Sequence, residues 1–206
     1  MKHIFWDFNG TVLDDVKITY NVLIKMLKEE NRPLVSFEDY LNIFEFPIIN
    51  YYEKVYDLTV SDFYDLANRF INYYMADSVN APLHNDIIEV IEIFKNKGYK
   101  NYLLSASKQS NLEKQIDDLN IRNLFDAILG INDIYATSKV GVGLKFMKES
   151  NINPKDALMI GDTLHDKEVA DAMGIDIIIF TKGHQHKDRL KHLANIDSFR
   201  DLIDKI

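Results

Sequence analysis

The stretch His3-Ile4-Phe5-Trp6-Asp7-Phe8-Asn9-Gly10-Thr11-Val12 decides the fold. Its apolar run predicts a short strand over residues 3–8, and Asn9-Gly10 supplies the turn that ends it. Later runs repeat the pattern. Tyr102-Leu103-Leu104 reads as a buried strand ending in Ser105, and residues 127–129 as another. Residues 157–160 read as a strand that stops at Gly161-Asp162, and residues 177–180 as one more. Amphipathic segments lie between them. Ile87, Ile88, Val90, Ile91 and Phe94 recur at helical spacing, with Gly98 as the closing residue. Residues 112–119, 144–148 and 168–173 read as helices, the last closed by Gly174, and a further helix is expected to start at residues 190–193. Continuous apolar strands alternating with such helices imply an α/β fold with a parallel sheet covered on both faces.

Residues 16–79 break this alternation. They are rich in Tyr, Phe, Leu and Asn, and Pro33 and Pro47 punctuate them. Ile18, Val22, Ile24, Met26 and Leu27 support one helix, Tyr51, Tyr52, Val55 and Tyr56 a second, and Phe63, Leu66, Ala67, Phe70 and Tyr74 a third. The segment therefore reads as a small helical domain inserted after the first strand, spanning residues 15–80. Residues 1–14 and 81–206 form the core. The aromatic stripe of the insertion fits packing better than a ligand box.

Composition narrows the function. The chain has 206 residues, of which 47% are hydrophobic and 27% charged, an ordinary globular mix. The net charge of −8 is a poor footprint for non-specific nucleic-acid binding. It also raises the question of what would offset repulsion of an anionic ligand. With no cysteine, disulfides, thiol nucleophiles and Cys-ligated zinc or iron–sulfur centres are excluded. Neither a signal-peptide h-region at the N-terminus nor an apolar run long enough for a bilayer is apparent, so the expectation is a cytoplasmic protein with no membrane partner.

In an open parallel sheet, ligands sit outside the carboxyl ends of the strands. Asp7 and Asn9 follow the first strand, Ser105 follows Leu103-Leu104, and Asp162 follows Met159-Ile160-Gly161 with Asp166 four residues on. Lys139 lies just before a helix. One rule of topology thus gathers carboxylates, a hydroxyl and an ammonium at one edge.

These residues resemble the four motifs of the haloacid dehalogenase superfamily. Asp7-Phe8-Asn9-Gly10-Thr11-Val12 is similar to the first motif, Leu104-Ser105-Ala106-Ser107-Lys108 to the second, Lys139 to the third, and Gly161-Asp162-Thr163-Leu164-His165-Asp166 to the fourth. Thr181-Lys182-Gly183-His184-Gln185 resembles the segment after the last core strand in phosphoglycolate-phosphatase-like members, and the helical insertion resembles their cap. The resemblance implies a Rossmann-like core and a Mg²⁺-dependent phosphatase of a small phosphorylated metabolite, a monomer or weak homodimer. Asp7 would be the nucleophile that forms an aspartyl-phosphate. Gly10 and Thr11 would turn the backbone sharply under the phosphate, Ser105 and the Ala106 amide would bind it, and Lys139 would neutralise it. Asp7, Asp162, the Asn9 backbone carbonyl and Asp166, directly or through water, would hold the metal.

The chain departs from the pattern at one position. Asn9 stands where phosphatases of the superfamily carry an acid/base Asp. An amide cannot exchange a proton at neutral pH, and such help is typically worth about 10²–10⁴ in rate. Four outcomes follow as expectations: good leaving groups such as acyl or aryl phosphates, a substitute acid at His165 or His184, a phosphonatase-like use of a cap lysine (Lys17, Lys25, Lys28 or Lys54), or a low-turnover phosphate-ester binder. The intact Asp162 and Asp166 speak against the metal-free dehalogenase branch. Glu45-Phe46-Pro47 resembles the cap loop that faces the site, with Phe46 a candidate for specificity.

Overall fold

A computed structural model describes residues 2–135 and 138–206. The core is one six-stranded sheet, all parallel, in the order β3-β2-β1-β4-β5-β6. Its strands are β1 (His3–Trp6), β2 (Lys100–Lys108), β3 (Ala127–Ile131), β4 (Ala157–Gly161), β5 (Asp176–Phe180) and β6 (Asn195–Ile196). Ile4, Phe5 and Trp6 are fully buried, as a central strand covered on both faces requires. Register is pinned in part by a polar contact inside the core: Trp6 Nε1 donates to Asn101 Oδ1 at 3.0 Å.

The insertion supplies α1 (Val16–Glu29), α2 (Phe37–Ile43), α3 (Ile48–Glu53) and α4 (Phe63–Asp77). Val22, Leu23, Met26, Leu27, Tyr40 and Tyr51 build an apolar cluster of their own there. The sheet is flanked by α5 (Ile87–Asn96), α6 (Gln109–Asp118), α7 (Val140–Glu149), α8 (Leu164–Met173), α9 (Lys187–Leu190) and α10 (Asp201–Lys205). Two further clusters cover its faces, one holding Trp6 and Phe94, the other Phe5 and Met159.

Several boundaries differ from the sequence reading. β1 ends at Trp6, because Asp7 and Phe8 already turn out of the sheet. β2 runs through Ser105 to Lys108, with a register shift against β3 between Leu104 and Lys108. The helix expected to start at residue 190 instead ends there, capped at His186. The helix α3 stops at Glu53, before Val55 and Tyr56. Helix α2 was not foreseen: its start signal is Ser36, whose hydroxyl accepts the Asp39 N–H. Strand β6 is too short to leave a periodic pattern.

Strand order reverses direction at β1, which has β2 on one side and β4 on the other. The crevice outside the carboxyl ends at such a switch point is where an open α/β sheet binds ligands. Asp7 leaves β1 and Asp162 leaves β4 at that crevice.

Candidate active site

The Asp7, Asp162 and Asp166 side chains converge, with one carboxylate oxygen of each within 4.8 Å of the others. All three are buried, and Lys139 is buried beside them. The Lys139 ammonium donates to Asp7 Oδ1, to Asp166 at 2.7 Å and to the Leu104 carbonyl at 3.0 Å. Asp166 uses both oxygens: the second accepts the Asp162 and Thr163 N–H groups at 3.1 and 2.9 Å and the Thr163 hydroxyl at 2.8 Å. In return the Thr163 hydroxyl accepts the Asp166 N–H at 3.3 Å, so the start of α8 is closed by a capping box. Asp162 is fixed by the Thr11 hydroxyl at 3.0 Å and the His184 N–H at 2.6 Å. The backbone presses close around it: a Cβ at Gly183 would lie 2.1 Å from its Oδ2, and one at Gly10, where φ is +73°, would lie 2.4 Å away.

Three negative charges against one positive leave this cluster at −2 when all are ionised. Burial accordingly pushes the Asp162 carboxyl up to about 6, with Asp166 adding to the push against His184. Burial also raises Asp7 well above the carboxylate range, despite Lys139. Burial opposes ionisation of Asp166 too, but Lys139 and Thr163 outweigh it and hold the group low. Hard oxygen donors with an uncompensated charge of −2 fit a dication, and Asp7 and Asp162 have the capacity left to hold it.

The model of the family described as haloacid dehalogenase-like hydrolase matches residues 4–180. The chain belongs to this family. A phosphoglycolate phosphatase of Aquifex aeolicus is 28% identical over 182 residues, which are 84% of this chain and 82% of that protein. Phosphoglycolate phosphatase 1 of Pseudomonas aeruginosa is 24% identical over 138 residues, 65% of this chain and about half (51%) of the relative. A haloacid dehalogenase-like hydrolase of Streptococcus pneumoniae superposes with a TM-score of 0.85 at 21% identity, covering 100% of this chain and 98% of that one, and so shares its fold.

Against the expectations for a haloacid dehalogenase-like hydrolase, Ser105 and Ala106 do line the cavity above Asp7, together with Lys139 and Asn9. Ser105 is turned inward, its hydroxyl accepting the Ser107 N–H at 3.0 Å. Thr11 is not among the residues that line this cavity, and its hydroxyl donates to Asp162 at 3.0 Å. The Gly10 N–H is likewise occupied, by Asp15 at 2.8 Å.

Asn9 belongs to a network that sequence reasoning missed. Its amide donates to Asp15 Oδ2 at 2.8 Å and to the Tyr74 hydroxyl at 2.6 Å, and its carbonyl accepts from Ser107 at 2.9 Å. Asp15 also receives the Tyr74 hydroxyl at 2.6 Å and pairs with His184 Nε2 at 3.2 Å, while His184 Nδ1 meets the Tyr40 hydroxyl at 2.8 Å. Burial works against both charges, but the two hold each other: His184 lies above its ordinary range and Asp15 below its own. The signal in the sequence was only a second carboxylate, Asp14-Asp15, ahead of an apolar helix.

The two substitute acids thus have different surroundings. His184 is locked between Asp15 and Tyr40. His165 is buried against Phe46, ring on ring at 4.8 Å, with Nδ1 on Glu168 at 3.2 Å and Nε2 without a partner among the described residues. Burial keeps this imidazole below its ordinary range, with the nearby Lys139 adding to the effect. With Glu168 accepting from Nδ1, Nε2 presents a lone pair. The four cap lysines stay off the cavity wall: Lys25 sits over the Tyr73 ring and Lys54 pairs with Glu45 at 2.8 Å.

Proposed function

We propose that this chain is a metal-dependent phosphatase that works through a phosphorylated Asp7. The observation that carries the reading is the junction of Asp7, Lys139 and the Asp162–Asp166 pair at the switch point of the sheet. Lys139 holds one Asp7 oxygen, which orients the other for in-line attack on phosphorus. Attack forms the Asp7–phosphorus bond and breaks the ester P–O bond, and the leaving oxygen departs with the electron pair. Water then cleaves the acyl phosphate and frees Asp7. Lys139 and the amides beside Ser105 offset charge on the transferring group. A dication held by Asp7 and Asp162, Mg²⁺ by the hardness of its donors, would supply Lewis-acid stabilisation of the same charge. Asp166 acts as the brace of this arrangement, since one oxygen holds the Lys139 ammonium and the other already accepts three hydrogen bonds, whereas each Asp162 oxygen accepts one.

The relatives named as phosphoglycolate phosphatases support hydrolysis of a small phosphorylated metabolite. The absence of any cap lysine from the cavity wall speaks against the phosphonatase-like route. The test is phosphate release from acetyl phosphate with Mg²⁺, a substrate that needs no acid. Turnover that disappears in Asp7→Asn supports the reading. No release from the unmodified protein would leave a binder of phosphate esters.

A further inference from the structure

The wall of the cavity facing Asp7 is contributed by the cap, and it is largely apolar, with the rings of Tyr51 and Tyr74 adding a hydroxyl each. Phe44, Phe46, Ile48, Phe70, Ile71 and Met75 line it. Two of these rings lie flat on imidazoles of the core, Phe46 on His165 and Phe44 on His184, each at 4.8 Å between centroids. The body of any ester whose phosphate sits at Asp7 must lie against these side chains.

A carboxylate-bearing alcohol such as glycolate finds the Tyr51 hydroxyl without a partner among the described residues but no free buried cation there. Lys139 is spent on Asp7, Asp166 and Leu104, and His184 on Asp15. His165 offers an acceptor rather than a donor. Lys108, the remaining cation among the described lining residues, stands exposed. Asn9 points the same way by independent chemistry: it cannot protonate a leaving alkoxide, and its amide is committed to Asp15 and Tyr74.

Building on the phosphatase reading above, we propose that the substrate is the phosphate monoester of an aromatic alcohol, a phenol, whose ring packs against Phe46 and Phe70. The phenolic oxygen leaves as phenolate when the Asp7–phosphorus bond forms and takes its proton from solvent afterwards, so no side-chain acid is needed. The apolar wall supplies binding in place of ionic contacts, through burial and offset stacking of rings.

The test uses the intact chain with Mg²⁺ and matched esters. Phenyl and 2-naphthyl phosphate have similar leaving groups and differ in apolar bulk, benzyl phosphate has the ring without the phenolic oxygen, and phosphoglycolate has the small anionic body. We expect kcat/KM for phenyl phosphate at least ten-fold above benzyl phosphate and phosphoglycolate, with a lower KM for 2-naphthyl phosphate. In Phe46→Ala, the ratio of kcat/KM for 2-naphthyl phosphate to that for acetyl phosphate should fall at least five-fold. A ratio is read because it is insensitive to the fraction of folded protein. Phosphoglycolate equal to or better than phenyl phosphate, or an unchanged ratio, overturns the substrate class while acetyl phosphate turnover leaves the phosphatase reading standing. No release even from acetyl phosphate overturns both.

Discussion

The Asn9 amide lies 2.8 Å from the buried Asp15 carboxylate and donates to it. The position that in similar phosphatases carries an acid is therefore occupied by the one group of that size that can serve a neighbouring anion without repelling it. A carboxylate at position 9 would face a carboxylate at position 15.

In Asn9→Asp the Asp15 charge keeps the new carboxyl protonated but holds its proton in the contact with Asp15, away from the leaving oxygen, so the variant alone should gain little turnover. Two buried carboxylates in contact cost stability, on the order of 2 kcal/mol, or about 4–8 °C in Tm for a chain of this size. The paired variant Asn9→Asp with Asp15→Asn restores the hydrogen bond with its polarity reversed. It removes the clash of carboxylates but also takes the anion away from His184, so Tm should stay below that of the unmodified protein while kcat on alkyl phosphates rises about ten- to a hundred-fold. Thermal melts and kinetics on both variants check this; a single variant that gains turnover without losing stability would refute it.

Asp7→Asn should lower kcat by about 10³-fold or more, since the nucleophile is gone. Its Tm without metal should equal or exceed that of the unmodified protein, because the −2 cluster loses one of its crowded anions. A matched pair of melts and single-turnover assays reads both effects.

Lys139 is the cation that holds the carboxylates together. Lys139→Met should destabilise the protein by about 3–5 kcal/mol, because the buried anions lose their partner. Activity should fall with it. Urea unfolding gives the first number, and activity measured at concentrations of urea where the variant is still folded gives the second.

Metal affinity and pH should be linked through Asp162. Its carboxyl is raised from an ordinary 3.8 to about 6 in the folded protein. The folded state therefore binds this proton more tightly than the unfolded chain. Raising pH through the window from about 4 to 6 removes stability from the metal-free protein. A dication competes with the same proton, so the Tm gain on adding Mg²⁺ should be larger at pH 7.5 than at pH 5. Melts with Mg²⁺ and with EDTA at both values test the sign.

The core was legible because its strands are short apolar runs that end in polar residues, as in Ile4-Phe5-Trp6-Asp7 and Met159-Ile160-Gly161-Asp162. Period and punctuation carry that information locally. The cap was harder. Helix α2 has seven residues, too few for a clear period. The Asn9–Asp15–His184–Tyr40 chain was invisible, since it joins residues up to 169 positions apart and depends on where side chains turn. The direction of the Thr11 hydroxyl, toward Asp162, is information of the same kind.

The contacts between cap and core have a consequence for recombination. Three carbonyls of the cap, at Leu41, Asn42 and Phe44, take their hydrogen bonds from His186, Arg189 and Gln185 of the core. Tyr40 and His184 add a fourth link. A cap borrowed from a relative would bring those backbone acceptors to a segment never shaped to receive them. Exchange of this region between homologues should succeed only when residues 184–189 travel with it.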